Sequence, residues 1–472
     1  MFNSALLLTF ATFAGLALGF AREWLLIDAW GAGHQSDSFL LALFLPEALR
    51  MTLAAGILSA AALPLYQQLV PTERSKWLNA FAGCLLLAGV LLSLILSLLA
   101  PGWISLIGPG LEVGAKAAAV KDFQLLMWCV PLFFLHAVFT VVLQAQQRYI
   151  LAGLGSFLFN LFPVCWLLIA GSAVTSKDLA LSFFIGSIAM LVVVLPSGVA
   201  LGWRPWLLRG ALAVGRELWG KLGPLLLSNF ASHALTILER AVASMLGEGM
   251  ITWVNLARKL INLPLIALMA LNQVLLSMLS TRLIEQRLLL LQQGLALTSC
   301  FALAAAVGLV AISPTLSVMM FQQMDDVSSL ALLLAWFAVP LAFGAWNPLL
   351  ARFAYADGNT RLPLRCELTG SAINAAALCV FPVFFGAVGI ALAAVCGVAV
   401  TAFLLLKKQS LLNNLPWKLQ STLSFFALSA IAYVIYPMPV GMPQFIFGMV
   451  AACVFFVLAA LLYKPWKAPV TL

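Results

Sequence analysis

The sequence predicts an all-α polytopic membrane protein, and three observations carry that prediction. Hydrophobic residues make up 64% of the 472 and charged residues only 9%, where a soluble chain carries about a quarter charged. Apolar runs of about 20 residues, the length that crosses a bilayer as helix, recur along the whole chain. Basic residues are distributed between successive loops with a strong alternating bias.

Fourteen spans are expected, at 4–22, 38–66, 79–100, 122–145, 150–171, 179–202, 218–246, 250–279, 290–313, 328–355, 366–385, 387–406, 419–437 and 442–463. The first lacks a basic leader and runs straight into Arg22-Glu23, so it reads as a helix rather than a cleaved signal. The second and tenth are long and contain Pro46 and Pro340, which predicts tilted or broken helices. Loops are short, and no soluble domain is expected on either side.

The net charge of +9 is explained mostly by topology. With the amino terminus inside, sixteen Lys and Arg fall on cytoplasmic loops and only Lys116, Lys121 and Lys177 fall outside. That places both termini in the cytoplasm and turns the charge toward anionic lipid rather than nucleic acid. The eight cysteines have no C-x-x-C spacing and read as small buried hydrophobes. His34, His136 and His233 share no metal-like spacing, and no metal or cofactor is expected.

A faint repeat divides the chain. Arg22-Glu23, Gly31-Ala32-Gly33 and Leu45-Pro46 are echoed by Glu239-Arg240, Gly247-Glu248-Gly249 and Leu263-Pro264. Six spans per half give both halves the same orientation, the arrangement of parallel-repeat transporters, whose substrate site lies between the repeats. The expected organisation is an N-terminal lobe at 1–210, a C-terminal lobe at 211–410 and an extra helix pair at 411–472.

Six basic residues lie in or at the ends of apolar spans: Arg22, Arg50, Arg240, Arg258, Lys259 and Arg352. A cation at bilayer depth costs about 2.5–3.5 kcal/mol on insertion scales, so it marks a cavity or pathway by default. Arg22 and Arg50 suit a diphosphate, because the guanidinium fork donates two parallel bonds to phosphate oxygens. The alternative is that they snorkel to the interface. Arg258 and Lys259 are adjacent on a helix and point about 100° apart, so one faces the cavity and the other pairs or snorkels. Lys259 is the expected cavity member, and Arg352 is expected to anchor a cytoplasmic helix end. Glu239 either neutralises Arg240 or joins Glu23 in orienting cations or coupling to an ion. Asp37 either holds an arginine or sits at a helix start, where the dipole favours an acid. Glu47 is a further acid near membrane depth. The loop from Ala356 to Pro363 is dense in turn formers and reads as a tight connection.

These residues resemble a known family. Leu18-Gly19-Phe20-Ala21-Arg22-Glu23, Gly31-Ala32-Gly33, Ser36-Asp37-Ser38-Phe39 and Leu45-Pro46-Glu47-Ala48-Leu49-Arg50 are similar to the amino-terminal signature of the MurJ/MviN lipid II flippases of the MOP exporter superfamily. The likeness extends through Glu239-Arg240-Ala241, Gly247-Glu248-Gly249, Ala257 to Pro264, Asp357 to Pro363 and Gly386 to Leu392. It implies fourteen helices, two six-helix lobes, a V-shaped cationic cavity and alternating access. The implied substrate is undecaprenyl-pyrophosphate carrying a sugar, with the last two helices forming a groove for the lipid tail. By position, Arg22 and Arg50 match cavity arginines of the family, Asp37 matches a family acid, and Lys259 stands where the family has a cavity arginine. Leu16, Met51 and Ala55 depart from the pattern, replacing two common arginines and a frequent glutamate. A less basic cavity leaves another polyprenyl-linked saccharide, such as an exopolysaccharide repeat unit, as the alternative cargo.

Two other function classes are weighed against this one. A MATE-type cation or drug antiporter needs an acidic site, whereas these spans carry cations. A glycan polymerase or ligase needs catalytic groups on a sizeable outer loop, whereas the outer acids are Glu112, Asp178, Asp325 and Asp326 on short loops. No Walker A, H-E-x-x-H or G-x-S-x-G motif occurs, so no enzymatic activity is expected. The expected partners are the lipid-linked saccharide and membrane lipid, with cell-envelope biosynthesis proteins as further candidates. Nothing requires an oligomer, and sodium ions or protons are the candidate coupling ions.

Overall fold

The apolar runs form helices throughout the computed structural model, and no strand occurs among the described residues. The structure describes residues 2–54, 57–204, 215–216, 233–281, 284–321, 327–356, 359 and 361–466. The expected turn residues Asp357, Gly358 and Thr360, the outer acids Asp325 and Asp326, most of the expected seventh span and the lobe boundary expected at 210 lie outside them. The described chain forms two compact units, Met1–Thr252 and Trp253–Leu472.

The first unit begins with α1 (Phe2–Trp30), whose 29 residues are about 43 Å long, more than the roughly 30 Å hydrocarbon core requires. Arg22 and Glu23 therefore lie well inside a helix that continues to Trp30, not at its end. Next come α2 (His34–Ala54) and α3 (Ile57–Gln68), then α4 (Pro71–Leu98), with proline at its first turn where no backbone donor is lost. Short α5 (Ala100–Ile107) follows α4 directly. α6 (Val113–Met127) and α7 (Cys129–Ala145) together supply one span of 33 residues. α8 (Tyr149–Gly153), α9 (Gly155–Ala170) and α10 (Ser176–Ala200) follow. Thr175 caps α10, its hydroxyl accepting from the Asp178 N–H at 3.2 Å. Residues 233–245 are helical (α11).

Within this unit α1 packs along α9, and α9 along α10. Gly15 and Gly19, four residues apart on α1, permit the approach to α9: a Cβ on Gly15 would lie 2.8 Å from the Ser156 Cβ. Small residues at this spacing bring helix backbones together where lipid supplies no hydrophobic drive for association. Beside them a core of Leu58, Tyr66, Leu78, Phe81, Val138 and Phe139 joins α3, α4 and α7.

The second unit takes most of α12 (Met250–Thr281), then α13 (Ile284–Met320), α14 (Val327–Gly344), α15 (Asn347–Ala356), α16 (Arg361–Phe385), α17 (Ala387–Lys408), α18 (Trp417–Val434) and α19 (Met442–Tyr463). The expected tenth span is broken, since α14 ends at Gly344 and α15 begins at Asn347. α13 packs against α14, α18 and α19. Buried glutamines tie the last pair to this centre. Gln444 Oε1 accepts from Thr315 at 2.5 Å, and its amide donates to the Ile435 and Tyr436 carbonyls. Gln420 donates to the Ala342 carbonyl at 3.2 Å and accepts from the Tyr463 hydroxyl at 2.6 Å.

Among the described residues nine helices or helix pairs are long and apolar enough to cross a membrane. They correspond to the expected spans at 79–100, 122–145, 150–171, 179–202, 290–313, 328–355, 366–385, 387–406 and 442–463. The protein is a multi-pass helical membrane protein.

Candidate functional site

The charged centre of the first unit is built from one face of α9. Ser156, Phe159 and Asn160 occupy positions i, i+3 and i+4, which share a helix face. Asn160 Oδ1 accepts from Arg22 Nη1 at 2.7 Å, while its amide donates to the Ser156 carbonyl at 2.9 Å and the Gly15 carbonyl at 3.3 Å. Ser156 Oγ accepts from Arg50 Nη1 at 2.9 Å. The Arg50 guanidinium lies 4.5 Å from the Phe159 ring centroid, and that of Arg22 lies 5.0 Å from Phe183 of α10. Cation–π contacts of this kind gain strength when desolvated.

Carboxylates complete the cluster. Arg22 Nη2 donates to Glu23 at 2.5 Å and to both oxygens of Glu47 at 3.2 Å. Glu47 also lies 4.0 Å from Arg50 Nη2. Arg22 is fully buried and Glu23 is 1% exposed, while the Glu47 side chain is 20% exposed. The two arginines are thus neither lipid-facing nor snorkelled. They share one carboxylate, and the four side chains sum to zero formal charge.

Arg50 also lines a cavity of about 270 Å³, with Ser59, His136, Thr140, Gln144 and Tyr149 among its walls. None of the described lining residues is a carboxylate. Arg50 Nε, His136 Nε2 and Thr140 Oγ1 are buried there without a hydrogen-bond partner among the described residues.

Asp37 lies apart from this cluster. Its Oδ2 accepts from the Gly249 N–H at 2.8 Å, and its Oδ1 from the N–H and hydroxyl of Thr252 at 2.8 and 2.6 Å. It stands in the first turn of α2 and caps the start of α12 across space, where helix N–H groups lack internal partners. Gly249 has φ +76°, and a Cβ there would lie 2.6 Å from the Ala32 carbonyl oxygen. The corners at 31–37 and 247–252, matched by the repeat, therefore meet inside the first unit. His34 joins them, 3.2 Å from Glu248 and 3.7 Å from Glu112.

Glu239 is buried on α11. Its neighbour Arg240 donates to the Leu40 carbonyl at 3.4 Å, lies 4.4 Å from the Phe44 ring and is within electrostatic reach of Glu23, Glu47 and Glu239. Arg258 and Lys259 are half-buried on α12 in the second unit, with the Arg258 guanidinium 4.3 Å from the Phe337 ring of α14. Arg352 is half-buried on α15. The structure thus brings Arg22, Glu23 and Arg50 together. It sets Asp37 in a separate capping site, and it holds Arg258 and Lys259 in the other unit.

Sequence reasoning left Ser156, Asn160, Phe159 and Phe183 out of the site, and gave Glu47 no role. The signal for α9 was present: Ser156 and Asn160 are polar residues one turn apart in an apolar span.

The sequence profile of the family described as "Lipid II flippase MurJ" matches residues 27–456. A probable lipid II flippase MurJ of Thermotoga maritima is 27% identical over 400 residues, covering 83% of this chain and 82% of that protein. The lipid II flippase MurJ of Burkholderia cenocepacia is 23% identical over 442 residues, covering 88% and 86%. A solved structure described as "Lipid II flippase MurJ, inward closed conformation" superposes with a TM-score of 0.83 at 20% identity, covering 98% of this chain and 99% of that one. An inward-facing multidrug resistance MATE transporter of the MOP superfamily has the same fold more distantly, with a TM-score of 0.65 at 13% identity over 89% of this chain and 96% of that one.

Proposed function

Since the chain belongs to the lipid II flippase MurJ family, we propose that Arg22 and Arg50 hold the diphosphate of a polyprenyl-linked saccharide while the protein flips it across the membrane. The single observation behind this assignment is the pairing itself. Two guanidiniums from α1 and α2 converge on one carboxylate, and they are braced from behind by Ser156, Asn160 and two aromatic rings. Such bracing fixes the forks in place, so that little side-chain freedom is lost when an anion is gripped.

The cavity beside Arg50 supports the reading, because several polar side chains stand in its wall and none of its described lining residues is a carboxylate. It offers hydroxyl, amide and imidazole groups near the diphosphate. Lipid II is the first candidate cargo, and an exopolysaccharide repeat unit on the same diphosphate lipid is the second. Both make the same demand on the arginines, and the difference lies in the sugar.

Arg258 and Lys259 are assigned to the same anion at another stage of transport. The expected lobes at 1–210 and 211–410 would expose it to each side in turn, with the helix pair at 411–472 guiding the tail. Glu23 and Glu239 are assigned to orienting Arg22 and Arg240. Asp37 is assigned to holding the corner at 31–37 against the start of α12. The protein would act as a monomer in the bacterial inner membrane with both termini in the cytoplasm. Sodium, proton and potential gradients, imposed separately, distinguish the coupling schemes.

Depletion in cells tests the function. The lipid-linked precursor should accumulate in the cytoplasmic leaflet, and Arg50→Ala should fail to restore its transfer. A cell that transfers the precursor normally without the protein, and shows no other lipid-linked saccharide accumulating, contradicts the proposal.

A further inference from the structure

Glu47 occupies the ground that an incoming anion needs. Both of its oxygens lie 3.2 Å from Arg22 Nη2, and it lies 4.0 Å from Arg50. With Glu23 it brings the cluster's formal charge to zero, so the arginines are not bare cations awaiting a ligand. A diphosphate entering beside them meets a carboxylate already in place, and like charges this close in a low-dielectric site repel strongly.

The two glutamates are not equivalent. Glu23 is 1% exposed and bonded to Arg22 at 2.5 Å, while the Glu47 side chain is 20% exposed and its bonds are longer. Glu47 also follows Pro46 within α2. A proline inside a helix removes one backbone hydrogen bond and crowds the carbonyl four residues earlier, which loosens that turn. The bridging carboxylate therefore has both an open side and a softened backbone.

We propose that Glu47 is the resident counter-ion of the arginine pair, displaced when the diphosphate seats and returned when it leaves. The inference rests on the assignment of Arg22 and Arg50 to the diphosphate. Binding is then an exchange of anions. The exchange favours a ligand whose charge and reach engage both guanidiniums, and disfavours a monophosphate or a single carboxylate. Return of Glu47 restores a neutral cluster and speeds release, so the same side chain sets selectivity and turnover.

The test uses the purified full chain in lipid nanodiscs with undecaprenyl diphosphate, and undecaprenyl monophosphate as the comparison ligand. Glu47→Gln keeps the shape of the side chain and removes its charge. It should bind the diphosphate lipid about tenfold more tightly and release it more slowly, with weaker discrimination against the monophosphate. In an Arg22→Gln background the same change should bring little gain, because the competition it relieves is for Arg22. Glu47→Asp, with a shorter stem, should shift affinity in the same direction by a smaller factor, and it serves if the glutamine variant accumulates poorly. Wild-type binding that weakens in Arg22→Gln and Arg50→Gln, together with Glu47→Gln binding no tighter than wild type, overturns the counter-ion role alone. Wild-type binding that neither arginine variant weakens, or no binding at all, overturns both readings.

Discussion

Thr252 donates twice to one oxygen of Asp37, from its backbone N–H at 2.8 Å and its hydroxyl at 2.6 Å. The other oxygen takes the Gly249 N–H, so a single carboxylate satisfies two backbone N–H groups and one hydroxyl at the start of α12. Asp37→Ala removes every one of these acceptors and leaves buried N–H groups unpaired, which costs about 1–3 kcal/mol for each orphaned group. Denaturation in detergent should show Asp37→Ala clearly destabilised, and Thr252→Val less so, because the valine keeps its backbone donor. Equal stability of Asp37→Ala and wild type would refute the capping role.

Gly249 makes that contact possible. Its φ of +76° and the 2.6 Å approach of a would-be Cβ to the Ala32 carbonyl both oppose any side chain. Gly249→Ala should cost on the order of 1–3 kcal/mol in the same denaturation measurement. The effect should largely vanish in an Asp37→Ala background, where the corner is already released.

Arg50 and lysine are not interchangeable at this site. Arg50 donates to Ser156 through one terminal nitrogen and stacks over Phe159, while its other terminal nitrogen, 4.0 Å from Glu47, is the one a ligand would engage. Lysine keeps the charge and loses the fork. Arg50→Lys should therefore transfer the lipid-linked saccharide at an intermediate rate, below wild type and above Arg50→Ala. The readout is leaflet-specific labelling of the precursor.

In the second unit, Gln444 makes two buried hydrogen bonds and one partly buried one that join α19 to α13 and to the turn after α18. Gln444→Leu should destabilise the protein by about 1–3 kcal/mol, since two carbonyls lose the Gln444 amide and the Thr315 hydroxyl is left with its longer bonds to Gly441. Proteolysis between α18 and α19 should accelerate accordingly.

Nine of the expected spans were legible because apolar length is a local property, and so was a break in the tenth, which falls after Gly344 rather than at Pro340. Arg22 and Arg50 were legible because a cation in an apolar run is conspicuous without knowledge of its partners. The partners themselves were not. Asn160 is 138 residues from Arg22, and Ser156 is 106 from Arg50. A lone polar residue in a span carries no local sign of what it faces. Asp37 was legible as a helix-start acid, and the first turn of α2 is where it stands. That it also caps α12, more than 200 residues away, depends on the meeting of two corners that the repeat matched but did not bring together. Glu47 was visible as an acid at depth, but its placement between two arginines is a matter of packing.

The central claim is that Arg22 and Arg50 carry the diphosphate, and reconstituted transfer tests it most directly. Proteoliposomes holding the wild type or the Arg22→Gln/Arg50→Gln double variant are loaded with a polyprenyl-diphosphate-linked saccharide, and its appearance in the opposite leaflet is followed. Compared at matched amounts of folded, inserted protein, the double variant should transfer no faster than protein-free vesicles. Transfer at the wild-type rate with both arginines neutralised would contradict the account.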